Sequence, residues 1–193
     1  MGLFYKILII IFFIFNFTIE CDSIYCGSER SDVKHFSDKE AVLVNIKPTE
    51  ISVDSFLLLD RIHLTPAFSH KHIARMEDEK QVYTIECYVK FFMLEQDNYY
   101  HLICCDSNYK IKFIAEIPSP ECSESIQSGY AAQYKAARNL LDSLYPEYYM
   151  QKHYTKYKFP LKITGVLFHD FVHGQTGHAP NGIELHPVFF INY

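Results

Sequence analysis

The sharpest alternation of apolar and polar side chains begins at Gln81. Tyr83, Ile85, Cys87, Val89 and Phe91 alternate with Thr84, Glu86, Tyr88 and Lys90, the period of a strand with one buried face. Glu95-Gln96-Asp97-Asn98 supplies a polar turn, Tyr99 to Cys105 a second strand, and Asp106-Ser107-Asn108 a second turn. In a third strand Ile111, Phe113, Ala115 and Ile117 alternate with Lys112, Ile114 and Glu116, and Pro118 and Pro120 end it. The period then changes. Tyr130, Tyr134, Ala137, Leu141 and Leu144 fall on one helical stripe closed by Pro146, with Lys135 and Arg138 off it. After a Tyr/Lys-rich link, Leu161, Ile163, Gly165 and Leu167 make a fourth strand, and a long loop from His169 to Asn181 leads into a fifth, Gly182 to Ile191. Three strands, a helix and two strands is the order of an OB barrel, in which the helix joins strands three and four. The expected fold is mainly β: a five-stranded OB-like barrel over residues 81–193.

Residues 21–80 carry no comparable period and are expected to form an irregular lead-in. Within it, Ile51 to Leu59 suits a short capped helix or turn, and His63 to Lys80 is polar, with His63, His70 and His72. Residues 1–20 differ again. Lys6 precedes an apolar run from Ile7 to Phe15, after which polarity returns at Asn16 and Glu20. That run has the length of a signal-peptide core and is short for a bilayer span. The expectation is a signal peptide and a secreted or periplasmic protein. The alternative is an uncleaved N-terminal anchor, which would be the chain's only membrane contact. Glu20, just before Cys21, breaks the small-residue pattern of a lipoprotein site.

Composition narrows the classes. Of 193 residues 49% are hydrophobic and 16% aromatic, enough for one substantial core, and 7 Gly and 8 Pro argue against a disordered chain. A net charge of -5 gives no global attraction for polyanions, so nucleic acid is the less favoured partner beside a small molecule, glycan or protein. Tyr148, Tyr149, Tyr154 and Tyr157 do interleave with Lys152, His153, Lys156 and Lys158, as on surfaces that stack single strands or sugars, but a solvated link would read the same way. The six cysteines, Cys21, Cys26, Cys87, Cys104, Cys105 and Cys122, include no C-x-x-C pair. They allow disulfides in an oxidising compartment without fixing which cysteines pair.

Candidate chemistry follows from the strand phases. His101 on strand two, Glu116 on strand three, and Glu184 and His186 on strand five all point away from the apolar phase. If Cys105 pairs with Lys110, His101 faces Ile114 and Glu116 lies a diagonal step away, roughly 7 Å. Imidazoles beside carboxylates suit acid–base catalysis (His101, Glu116, Glu184, His186) or a divalent metal such as zinc (His101, Glu116, His186). They suit equally a hydrogen-bonded cluster that pins three strands. The last loop offers Asp170, His173, Gln175 and Asn181 as ligand-binding residues, since long loops of this kind are functional or disordered. A turn network whose side chains cap the backbone is the other reading.

The segment Thr164-Gly165-Val166, Asp170-Phe171, His173-Gly174-Gln175, Gly177 and Ala179-Pro180-Asn181-Gly182-Ile183-Glu184-Leu185-His186-Pro187-Val188 resembles the ending T-G-V-x-F-F-D-F-x-H-G-Q-x-G-x-A-P-N-G-I-E-L-H-P-V of a family of small exported bacterial proteins of uncharacterised activity. Val82-Tyr83, Tyr100-His101-Leu102, Ala115-Glu116-Ile117-Pro118, Cys122 and Ala137-Arg138 match as well. The resemblance runs from Gln81 to the end and implies a shared domain without lending an activity. It departs at His169, where the family has Phe, and at His178, where the family has a small apolar residue. The function expected is an exported OB-fold binding module using strands two, three and five and the last loop. The alternative is a metal-dependent or acid–base hydrolase, nuclease-like, built on the His/Glu cluster.

Overall fold

A computed structural model describes residues 24–60, 73–145, 153–154, 160–171, 174 and 176–193. Among them the strands are β1 (Asn45–Ile51), β2 (Gln81–Leu94), β3 (Tyr100–Cys105), β4 (Ile111–Ile117), β5 (His153–Tyr154), β6 (Leu161–His169) and β7 (Ile183–Asn192). The helices are α1 (Ser31–Lys34), α2 (Val53–Leu57), α3 (Ser123–Ser128) and α4 (Ala131–Leu144). No helix of the described residues is long and apolar enough to cross a membrane.

The sheet runs β2-β3-β4-β7-β6 and closes through β2–β6 pairing, giving a mainly β, closed five-stranded barrel. The 14-residue β2 makes closure possible, because its first half pairs with β6 and its second half with β3. An irregularity between Val89 and Phe91 marks the changeover. It also reverses the expected phase: Phe92 enters the main core, whereas Phe91 joins Ile103 and Ile114 in a small cluster of its own. A bulge of this kind adds a residue to one strand and so swaps the faces beyond it.

The barrel interior is filled by Ile85, Leu102, Phe113, Ile117, Ile163, Leu185 and their neighbours. Tyr134, Ala137 and Leu141 of α4, three residues of the expected stripe, complete it. Arg138 is half-buried rather than a surface residue, and donates to the Asn98 carbonyl and to that of Ile117 at 2.9 Å. Of the Tyr/Lys-rich link only His153 and Tyr154 lie among the described residues, as β5 against β2.

Residues 24–60 and 73–80 of the stretch expected to be an irregular lead-in are ordered against the barrel. β1 pairs in parallel with β2, α2 is capped by Ser52 accepting from the Ser55 amide at 3.1 Å, and Val33, Phe36, Val44, Val53 and Phe56 are core residues. Its first part is a strap. A Cys26–Cys122 disulfide fastens it, the Tyr99 hydroxyl donates to the Cys26 carbonyl at 2.8 Å, and Asn98 Nδ2 donates to the Tyr25 carbonyl at 2.8 Å. Gly27, at φ +77°, lets the strap pass close over Tyr99, whose hydroxyl would lie 3.3 Å from an added Cβ. Cys87, Cys104 and Cys105 remain buried thiols.

Candidate functional site

The turn between β3 and β4 sets the site. Tyr109 sits at φ 59° and the pairing passes from Cys105↔Ile111 to Cys104↔Phe113, so Lys112 is an extra residue. The turn pairs Cys105 with Ile111 rather than with Lys110, and the added residue moves β4 one further position, so His101 stands directly opposite Glu116 and not opposite Ile114. The side chains meet at 2.6 Å between His101 Nδ1 and Glu116 Oε1. β7 runs parallel to β4 with Ile114 beside Glu184 and Ala115 beside Leu185, which brings His186 next to Glu116. His186 Nδ1 lies 2.9 Å from Glu116 Oε2. The four predicted residues do converge.

They converge under cover rather than on an open surface. His186 is fully buried and Glu184 is 3% exposed. The strap and α1 lie over them from one side. From the other comes the loop that follows β6, where Gly177 at φ +102° packs so tightly that an added Cβ would fall 2.3 Å from Ile103 Cδ1. What stays accessible is a cleft of about 560 Å³, with His101 and Glu116 in its wall. Asp170 lines it too, as do Lys34 of α1, Asp97 and Tyr99. Sequence reasoning missed Lys34. It lies in a four-residue helix with no readable period, and nothing local marks it as facing Asp170. Its Nζ sits 5.3 Å from the centre of the Phe168 ring, over which the Arg30 guanidinium also stacks.

Electrostatics follow from this crowding. Burial pushes the Glu184 carboxyl well above the usual carboxylate range, and the nearby charges of Asp170 and Glu116 push it further. Burial and Glu116 also raise Asp97. Burial alone would lower Lys34, yet the carboxylates of Asp170, Glu116, Glu184 and Asp97 raise it. Glu116, despite burial, is held well below its ordinary value by His186 and His101. Burial would likewise lower His101, but its bond to Glu116 and a further hydrogen bond to the Thr176 backbone raise it. For His186 burial wins over Glu116 and lowers it. The cleft thus holds a charged Lys34 and a paired His101 amid an excess of carboxylate.

The remaining predicted residues divide. Asn181 lies away from the cleft lining, and its Nδ2 donates to the carbonyls of Phe56, Leu57 and Leu59 at 3.4, 3.1 and 3.2 Å, tying the last loop to the end of α2. The imidazole of His101 bonds Glu116 through Nδ1 and also meets the Thr176 backbone. Glu116, Glu184 and His186 place one donor atom each within 4.8 Å of one another. His169 ends β6 and bonds Asp78 through Nε2 at 2.5 Å, away from the cleft lining. His178 is exposed. His173 and Gln175 lie outside the described residues.

Among known proteins, no family model matches the chain, and neither a curated protein nor a solved structure does.

Proposed function

We propose that this is an exported OB-type binding module whose cleft takes a small polar ligand carrying positive charge. The supporting observation is the lining itself: Glu29, Glu95, Asp97, Glu116 and Asp170 face the cleft, against Lys34 and His101 as its basic groups. Such an excess of carboxylate gives a negative potential that favours a cationic guest, and the upward shifts of Asp97 and Lys34 beside those carboxylates agree with it. The strand order β2-β3-β4-β7-β6, with β4 parallel to β7, is the basis for the OB reading, and OB barrels commonly bind ligands on the face of their second and third strands. Export is supported by the leader pattern of residues 1–20 and by the Cys26–Cys122 disulfide.

The hydrolase reading has one favouring observation, a carboxylate between two imidazoles. It is weakened by His101, whose ring is engaged on both sides by Glu116 and the Thr176 backbone and has no proton free for a substrate.

Calorimetric titration with spermidine, as an organic cation, and with inorganic phosphate tests the proposal. Spermidine is expected to bind saturably, with affinity falling about tenfold in Asp170→Asn, the loss of one close charge. Preference for phosphate, or spermidine binding indifferent to Asp170, would overturn it.

A further inference from the structure

Behind the Glu116 wall of the cleft lies a buried cluster more specific than the cleft's charge. Glu184 and His186 are two residues apart on β7 and share one face, and Glu116 comes from the neighbouring β4. Their donor atoms lie within 4.8 Å of one another. The imidazole of His186 is fully buried, and neither ring nitrogen has a hydrogen-bond partner. The 2.9 Å approach of Nδ1 to Glu116 Oε2 lacks the alignment of an N–H···O bond. Buried imidazole nitrogens are seldom left in this state, because desolvation without a partner is costly. A nitrogen and a carboxylate oxygen at that spacing subtend roughly a right angle at an ion about 2.1 Å from both.

We propose that Glu116, Glu184 and His186 hold a divalent metal ion of the zinc class just behind the cleft wall that Glu116 shares, with His101 outside the ligand set as the brace of Glu116. This rests on the cation-binding reading of the cleft and names the cation. The His101–Glu116 bond at 2.6 Å is the imidazole–carboxylate contact that orients a ligating group from behind. A mixed imidazole and carboxylate set suits zinc or manganese better than calcium. Three protein donors leave coordination positions facing the cleft, where Asp170 stands. Lys34 is the competitor. Its ammonium interacts with Asp170, Glu116, Glu184 and Asp97, so it acts as a tethered cation that an incoming ion must displace.

The test is calorimetric titration of the full chain, stripped with EDTA and dialysed, with zinc chloride and with manganese chloride, at pH 7.5. One equivalent is expected to bind. Glu184→Gln should weaken binding by about 100-fold or more, and Lys34→Met should tighten it about tenfold by removing the competing charge. Glu184→Gln is the safer probe of fold, since its amide is isosteric with the carboxyl it replaces; thermal melting checks that it folds. His186→Asn is the second probe. No saturable binding in either the unaltered chain or Lys34→Met would overturn the metal site, as would full binding in both Glu184→Gln and His186→Asn. Spermidine binding without zinc binding removes the metal and leaves the cleft reading standing. If neither binds, both fall.

Discussion

Two buried charged networks sit close together in this protein, and they are finished differently. In the first, Glu79 is fully buried and both its oxygens are used. Oε1 accepts from Arg30 Nη1 at 2.8 Å and from the His169 amide at 3.0 Å, while Oε2 accepts from Arg30 Nη2 at 2.5 Å and from the Met76 amide at 2.8 Å. Arg75 adds a second pair, donating to Asp38 Oδ2 at 2.6 Å and to the Val33 and Glu79 carbonyls at 3.1 and 3.2 Å. A loose end is His169 Nδ1, which lacks a hydrogen-bond partner. The second network, around Glu116, crowds carboxylates beside Lys34, leaves both His186 nitrogens unpartnered and lines a cleft. Charges whose hydrogen bonds are complete hold a fold together. Charges left incomplete beside an opening await something from outside.

The comparison breaks most directly at its two central glutamates. Glu79→Gln would leave the Arg30 guanidinium, 4% exposed, without its counter-charge. The expected cost is about 3–5 kcal/mol in urea unfolding, because an uncompensated buried charge is what makes such losses large. Combining Arg30→Met with Glu79→Leu should recover most of it. Glu116→Gln removes one carboxylate from a network that holds several, so it is expected to cost less than Glu79→Gln while abolishing cation binding in the titrations. Equal destabilisation by Glu79→Gln and Glu116→Gln would erase the distinction between the networks.

Next in size is a pH effect confined to the cleft side. His35, buried beneath the strap, donates from Nδ1 to the Ser31 carbonyl at 2.7 Å, whereas its Nε2 has no partner. Burial lowers its pKa from 6.5 to about 4. Between those values the unfolded chain carries a proton on His35 that the folded chain refuses, so stability falls as pH drops from 6.5 and this loss is complete below about 4. Above pH 6.5 the group contributes nothing. The expected loss is at most about 3 kcal/mol, from 1.36 kcal/mol per pKa unit. In His35→Asn, whose amide can replace the Nδ1 donor, urea midpoints should decline less between pH 7 and 4. A decline as steep as that of the unaltered chain would show that His35 is not the proton-refusing group.

How much of this was legible in sequence depended on whether the cause was local. The barrel strands were, because alternation along Gln81–Leu94, Tyr100–Cys105 and Ile111–Ile117 records which face is buried. So was a short capped helix within Ile51–Leu59. The register was not. The turn pairs Cys105 with Ile111 through a Tyr109 at positive φ, which Tyr does not advertise as Gly or Asn would, and Lys112 then adds a further step. For that reason His101 and Glu116 were placed on one face but a step apart. The strap was illegible for a different reason: residues 24–36 take their structure from distant partners, Cys122, Glu79 and Tyr99, rather than from any period of their own. Lys34 went unseen with it. The cluster members could be named from strand phase, whereas the cover that turns them from an exposed face into a buried cluster behind a cleft wall could not.

The smallest effect divides two residues of one loop that sequence reasoning treated alike. Asn181 is tied to the fold on one side only: it is buried and its Nδ2 donates to three carbonyls at the end of α2, while its Oδ1 has no partner. Asp170 lines the cleft and adds negative charge beside Glu184 and Lys34. Asn181→Ala should cost about 1–2 kcal/mol in thermal or urea unfolding, the usual price of leaving buried carbonyls without a donor, and leave spermidine and zinc affinities unchanged. Asp170→Asn should do the reverse, weakening cation binding while moving the unfolding midpoint little, since it removes a charge from a crowd of like charges. The two variants form a crossed pair that differs only in whether the side chain faces a carbonyl cluster or the cleft. If Asn181→Ala also lowered cation affinity, the loop and the cleft would be mechanically coupled, and the division into a finished and an unfinished network would have to be redrawn around α2.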